Sequence, residues 1–145
     1  MAYSGKYYPK FAHKYKGDPT RITFRSLWER KFMNWCDQNA NVLEWASEEI
    51  AIPYISPVDH RSHRYFPDFY MKQKELDGTI KKYIIEIKPK KQCSPPKKPK
   101  RQTPRYIKEA YTYAVNQTKW KEAREFCADR GWEFKVVNED QLGVK

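Results

Sequence analysis

Two carboxylates and one ammonium stand in a pattern that suits phosphodiester chemistry: Asp68 follows Pro67, and further along Glu86 and Lys88 flank Ile87. Residues two apart in a strand project from one face, so a strand through 82–88 points Glu86 and Lys88 together and turns Ile85 and Ile87 toward the opposite layer. A preceding strand through 64–71 puts Asp68 on the face of Phe66 and Tyr70, and Asp77-Gly78 joins the two. With a three-residue loop holding Gly78 in the left-handed position, Asp68 lies opposite Lys88 and diagonal to Glu86. A two-residue loop puts Asp68 opposite Ile87 and needs a bulge to restore the site. Two acidic oxygens converging with a backbone carbonyl make an all-oxygen site for a hard cation such as Mg²⁺, for which Mn²⁺ can substitute. Such an ion neutralises charge on a phosphoryl oxygen and makes water more acidic, and a nearby lysine stabilises the transition state. Asp68 and Glu86 are thus candidate metal ligands and Lys88 a candidate catalytic cation.

The plainer alternative is a solvated strand face, where alternating charges form ion pairs worth at most about 1 kcal/mol. Against it, Tyr83-Ile84-Ile85-Glu86-Ile87-Lys88 is nearly continuously apolar before the charged pair. Such a run suits a central strand buried on both faces, where an unpaired carboxylate is costly. Spacing alone leaves both readings open, because E-x-K is a common string.

The elements that must position these groups follow from periodicity. Trp28, Phe32, Trp35 and Cys36 recur at helical spacing, and Ser26 with Glu29 fits the S-x-x-E start signal, so the first helix begins near Ser26. Short segments rich in β-branched and aromatic residues follow at 42–45, 50–55, 64–71 and 82–88, punctuated by Pro53, Pro57 and Asp77-Gly78, and read as antiparallel strands. A long helix is expected over 106–130 with Gly131 as its stop, then a last strand over 132–137. The order is helix, three or four strands, helix, strand: an α/β domain with a mixed sheet.

At 145 residues the chain fits one domain, expected to span 1–145. Residues 1–24 mix Tyr3, Tyr7, Tyr8, Phe11 and Tyr15 with lysines, as a basic aromatic arm or an irregular layer whose rings pack on the domain or stack on frayed bases. A net charge of +11 favours polyanionic partners, DNA first among them. No apolar run is long enough for a membrane span, and no signal peptide pattern opens the chain, so a soluble intracellular protein is expected. Cys36, Cys93 and Cys127 suit neither a disulfide framework nor a C-x-x-C zinc site.

Residues 89–105 form a different material, with five of the ten prolines, seven Lys or Arg and no acidic residue. The loop starts immediately after Lys88. Lys90, Lys91, Lys97, Lys98, Lys100, Arg101 and Arg105 are therefore candidate phosphate contacts, binding without sequence preference and steeply weakened by salt. The alternative is a flexible solubilising segment. His60 and His63 without a third ligand are weak zinc evidence; His63 reads better as a DNA contact beside Arg64, itself a candidate DNA-binding residue.

Taken together, the helix bearing Glu29, then Pro67-Asp68, then Glu86-Ile87-Lys88, then a basic loop and a helix resemble the PD-(D/E)XK nuclease superfamily over most of the chain. Tyr3-Ser4-Gly5-Lys6, Arg25-Ser26-Leu27-Trp28-Glu29-Arg30, His63-Arg64-Tyr65-Phe66 and Glu86-Ile87-Lys88-Pro89-Lys90-Lys91-Gln92 are more specifically similar to the head completion nucleases of T-even-type tailed phages. That resemblance implies a restriction-endonuclease-like αβββαβ core and an Mg²⁺-dependent DNA endonuclease of virion assembly. It implies action on packaged DNA at the portal before tail joining, portal and neck proteins as partners, no nucleotide cofactor, and a place in the virion and host cytoplasm. It also implies a third metal-site residue, Glu29, where the residues alone favour a capping box with Ser26, and a phosphate contact for Arg25. Asn116, Gln117, Lys119 and Lys121 line the long helix, from which nucleases of this fold often send one side chain toward the site. Two rival functions remain: a non-catalytic plug gripping the DNA end and portal, and a transposition or repair endonuclease of the same fold.

Overall fold

The aromatic N-terminal stretch packs on the domain as a layer. Strands β1 (Gly5–Lys6) and β2 (Thr23–Phe24) pair antiparallel, and Tyr7 and Tyr15 set their rings edge-on against Trp45 at centroid distances of 5.9 and 4.8 Å. The layer is also tied to helix α1 (Leu27–Gln38), whose Asp37 carboxylate accepts the Lys10 and Phe11 N–H groups at 2.8 and 3.0 Å. Lys14 reaches the other way. Its ammonium donates to the carbonyls of Cys36, Asp37 and Asn39 at 2.7, 2.9 and 2.9 Å, closing the helix end where unpaired carbonyls concentrate negative charge.

At the start of α1 the Ser26 hydroxyl accepts the Glu29 N–H at 3.2 Å, as the start signal predicts. The computed structural model describes residues 3–143. After α1 come β3 (Val42–Ser47), β4 (Ile52–Ile55), β5 (Ser62–Tyr65), β6 (Phe69–Lys74) and β7 (Ile80–Ile87); then α2 (Pro104–Arg130), β8 (Glu133–Val137) and the short α3 (Glu139–Leu142). The main sheet has the order β3-β6-β7-β8. Its first three strands are antiparallel, and β8 joins parallel to β7 because α2 carries the chain back across the sheet. With the β4–β5 hairpin set aside, this is the expected αβββαβ arrangement.

The segment 64–71, expected as one strand, is two. Pro67 has no N–H to give a ladder and restricts the residue before it, so β5 ends at Tyr65 and a new strand starts at Phe69 in a different sheet. Asp68 therefore sits at a junction between sheets. The long helix starts two residues before its expected Tyr106, because Thr103 caps it by accepting the Tyr106 N–H at 3.1 Å and Pro104 fits the first turn. Arg105, expected in the basic loop, is thus helical. Gly131 ends α2 at φ 73°, where a side chain would be strained.

The two sheet faces have different neighbours. Trp45, Phe69 and Ile85 lie toward α1 and the N-terminal layer, with the Phe69 ring 4.7 Å from that of Phe32. Tyr70, Ile84 and Glu86 lie on the other face, where Tyr70 meets Trp132 at 5.3 Å and α2 brings Trp120, Ala123 and Cys127 into the core. No helix among the described residues is long and apolar enough to cross a membrane.

Candidate active site

The β6–β7 turn decides how Asp68 meets Glu86. Glu75 N–H donates to the Thr79 carbonyl at 2.7 Å, leaving Leu76-Asp77-Gly78 as a three-residue loop with Gly78 at φ 87°. The loop is of the expected kind but centred one residue earlier, so the register pairs Phe69 with Ile85. Continued by one residue, that register sets Asp68 across from Glu86, which corrects the expected pairing with Lys88 or Ile87.

Asp68 is held by backbone on both sides. Its Oδ2 accepts the Ile87 N–H at 2.8 Å, its own N–H lies 3.3 Å from Glu86 Oε1, and its carbonyl accepts the Glu48 N–H at 3.2 Å. Glu86 is 6% exposed, and its Oε1 also accepts the Tyr65 hydroxyl at 2.8 Å. Lys88 Nζ stands 3.9 Å from Glu86 Oε2, while the Lys88 N–H donates to Val137 in β8 at 3.0 Å. Asp68, Glu86 and Lys88 thus converge from two adjoining strands.

The electrostatics are those of a crowded anionic pocket. Burial raises the Asp68 carboxyl, aided by the Glu48 charge, against the lowering effect of the Ile87 N–H and Lys88. Burial and then the Asp68 charge raise Glu86, opposed by Tyr65 and Lys88. Glu29 is pushed up to about 7 by burial and by Asp68, against the Arg25 N–H that its Oε1 accepts at 3.4 Å. Ser26 and Glu29 therefore form only half a capping box: the serine takes the Glu29 N–H, but the glutamate turns to Arg25 beside Asp68.

Burial and repulsion penalise these carboxylates, and a hard cation among their oxygens relieves both. The donor set suits a divalent ion, with Asp68 and Glu86 as the natural ligands. Among the described residues no three His, Cys, Asp or Glu side chains stand close enough to enclose an ion. Glu29 shares the field of Asp68 without closing a three-ligand cage, and water or a backbone carbonyl must complete any such shell.

Tyr65 and Glu48 escape the residue pattern, and Lys119 is left unresolved among four candidates. Tyr65 arrives from the β4–β5 hairpin, and burial beside the Glu86 charge holds its phenol protonated far beyond the usual range. Glu48, just past β3, adopts φ 54°, a left-handed conformation uncommon for a glutamate. It accepts the Arg25 guanidinium at 2.8 Å. Lys119 of α2 lies over the rings of Tyr54 and Tyr65 at 5.7 and 5.6 Å; burial lowers its pKa while Glu86 and Asp68 oppose that. The sequence marks Lys119 only as one of four polar helix residues; its i, i+4 relation to Val115 and Ala123, toward the core, is the signal that singles it out.

The remaining candidates scatter. Arg25 is engaged by Glu48, and the Arg64 guanidinium lies 5.9 Å from the Phe66 ring. Lys90 is tethered to α3 through Glu139 and Asp140, and Arg105 pairs with Glu109 at 3.0 Å. Lys91, Lys97, Lys98, Lys100 and Arg101 are exposed and have no ion-pair partner among the described residues. His63 bonds Asp59 at 2.8 Å and stacks on Tyr54, and it joins no metal cluster among the described residues.

Residues 39–139, which carry Asp68, Glu86 and Lys88, match the family model of the TnsA-like endonuclease N-terminal domain. The chain belongs to the TnsA-like endonuclease family. It is also 44% identical to the head completion nuclease of Enterobacteria phage T4 over 98% of this chain and 95% of that protein. No solved structure matches. Membership makes the chain an endonuclease with a PD-(D/E)XK-like core, and the sheet junction that holds Asp68 against Glu86 lies within the matched region.

Proposed function

We propose that this TnsA-like endonuclease is an Mg²⁺-dependent DNA endonuclease of phage head completion, trimming or cutting packaged DNA at the portal before the tail joins, in the virion and host cytoplasm. The observation that carries the catalytic part is the contact of the Asp68 N–H with the Glu86 carboxylate, with Lys88 Nζ 3.9 Å from the same group. The kinship to a phage head completion nuclease over nearly the whole chain supports the context.

Asp68 and Glu86 would hold the ion, which when bound polarises the phosphate and renders water acidic enough to attack at neutral pH. The protein's own groups do the rest. The Ile87 N–H fixes Asp68, and the Tyr65 hydroxyl fixes Glu86, so neither carboxylate must reorganise as charge develops. Lys88 carries positive charge to the scissile phosphate. Glu29, which shares the field of Asp68, would help position the ion or the attacking water. The exposed lysines after Lys88 keep the backbone of the substrate at the site without reading its sequence.

Linear and nicked duplexes incubated with the purified protein in Mg²⁺, Mn²⁺ or EDTA, beside Asp68→Ala, test this reading. Cleavage is expected with either ion and not in EDTA, with a loss of at least about a hundredfold in the variant. Tight DNA binding with no metal-dependent cutting by the wild type would overturn it in favour of a non-catalytic plug. Strong preference for one end sequence would point to a transposition enzyme instead.

A further inference from the structure

Beyond Lys88 a groove of about 670 Å³ runs between the proline-rich loop and the first four turns of α2. None of Glu29, Asp68 and Glu86 lines it. Its rim is basic through Lys91, Lys97 and Arg105, and the carboxylate on it, Glu109, is already held by Arg105 at 3.0 Å. Half-buried rings of Tyr106 and Tyr113 and three prolines form apolar walls. Asn116 also lines the groove, only 5% exposed, and among the described residues its side-chain amide has no hydrogen-bond partner. Its amide atoms open onto the groove, so their donor and acceptor are free to bond a ligand lying there.

We propose that this groove holds an unpaired DNA strand. The bases stack on Tyr106 and Tyr113, one base edge meets the Asn116 amide, and the phosphates follow Lys91 and Lys97. Stacking on aromatic rings along a basic track is how single strands are held, and an amide offers the adjacent donor and acceptor that a base edge matches. The size of the groove is that of a pocket enclosing a small organic ligand, about 300–1,000 Å³, which is the scale of nucleotides and not of a duplex. Asn116 shares a helix face with Lys119 and Trp120, three and four residues on, and Lys119 lies in the field of Glu86 and Asp68. A strand leaving the groove therefore passes the carboxylates. This inference rests on the nuclease reading and specifies its substrate: DNA with a single-stranded end or flap beside the cut.

Binding measured in EDTA by fluorescence anisotropy separates the groove from the chemistry. The probes are a labelled twelve-nucleotide single strand, an abasic strand of the same length, and a blunt duplex. The intact strand is expected to bind wild-type protein roughly tenfold more tightly than the abasic strand. Tyr113→Ala should erase most of that difference, and Tyr113→Phe should keep it. Equal affinity for intact and abasic strands would overturn the proposal whatever the variants do, leaving a surface that grips any polyanion. So would a Tyr113→Ala loss equal for single strand and duplex. Base-dependent binding without cleavage in Mg²⁺ would instead count against the nuclease reading alone.

Discussion

Asp68, Glu86 and Glu29 are each more basic folded than unfolded, with a direct consequence for pH. A carboxyl whose folded pKa is raised contributes stability when protonated and loses it as the pH climbs from its ordinary range through the folded value. For Glu29 that window runs from 4.5 to about 7. Metal-free Glu29→Gln should therefore melt a few degrees above wild type at pH 8, with the difference largely gone at pH 5. Equal melting temperatures at pH 8 would show that Glu29 is not under this strain. On the proposed mechanism Lys88→Met removes the charge that would face the scissile phosphate and keeps the proposed metal ligands, so kcat should fall about a hundredfold with little change in divalent-ion affinity. Single-turnover cleavage across a metal titration checks both halves. Strand alternation made it legible that Asp68, Glu86 and Lys88 lie near one another, but the turn lies one residue earlier than expected and Pro67 breaks the strand, so the partner of Asp68 was misread. Glu48 and Tyr65 were not legible: the first is aimed by a left-handed residue past β3, and the second arrives on a hairpin outside the main sheet.

Among the elements, α1 depends on a partner far away in sequence. The Lys14 ammonium supplies hydrogen bonds to three carbonyls at its end, and an aliphatic replacement leaves those carbonyls without partners. Lys14→Met should cost about 1–3 kcal/mol in urea unfolding. A cost below about 0.5 kcal/mol would mean water serves the helix end as well. The order of elements was readable because apolar spacing is a local signal, and the Ser26 cap and Gly131 stop lie where the sequence sets them. The break at Pro67 was a local signal too, but the strand propensity of 64–71 masked it. That break matters for the site: it frees Asp68 from a ladder position, so its N–H and carboxylate can both engage β7. The start of α2 was masked likewise, because the proline of Thr103-Pro104 looked like one more member of the proline-rich loop.

For the molecule as a whole, a charge of +11 and the exposed lysines after Lys88 predict binding dominated by counterion release. A Lys97→Ala, Lys98→Ala, Lys100→Ala triple variant should flatten the salt dependence of duplex affinity by roughly 0.9 for each phosphate no longer neutralised, up to about 2.7 in all. An unchanged slope would assign those lysines to solubility. The proposed chemistry depends most heavily on Asp68 and Glu86 sharing one divalent ion. Electron paramagnetic resonance of Mn²⁺ titrated into metal-free protein measures this without DNA and without turnover. Bound Mn²⁺ is expected in the wild type, with affinity weakened by more than about tenfold in both Asp68→Asn and Glu86→Gln. Wild-type Mn²⁺ binding in either variant would contradict the shared site.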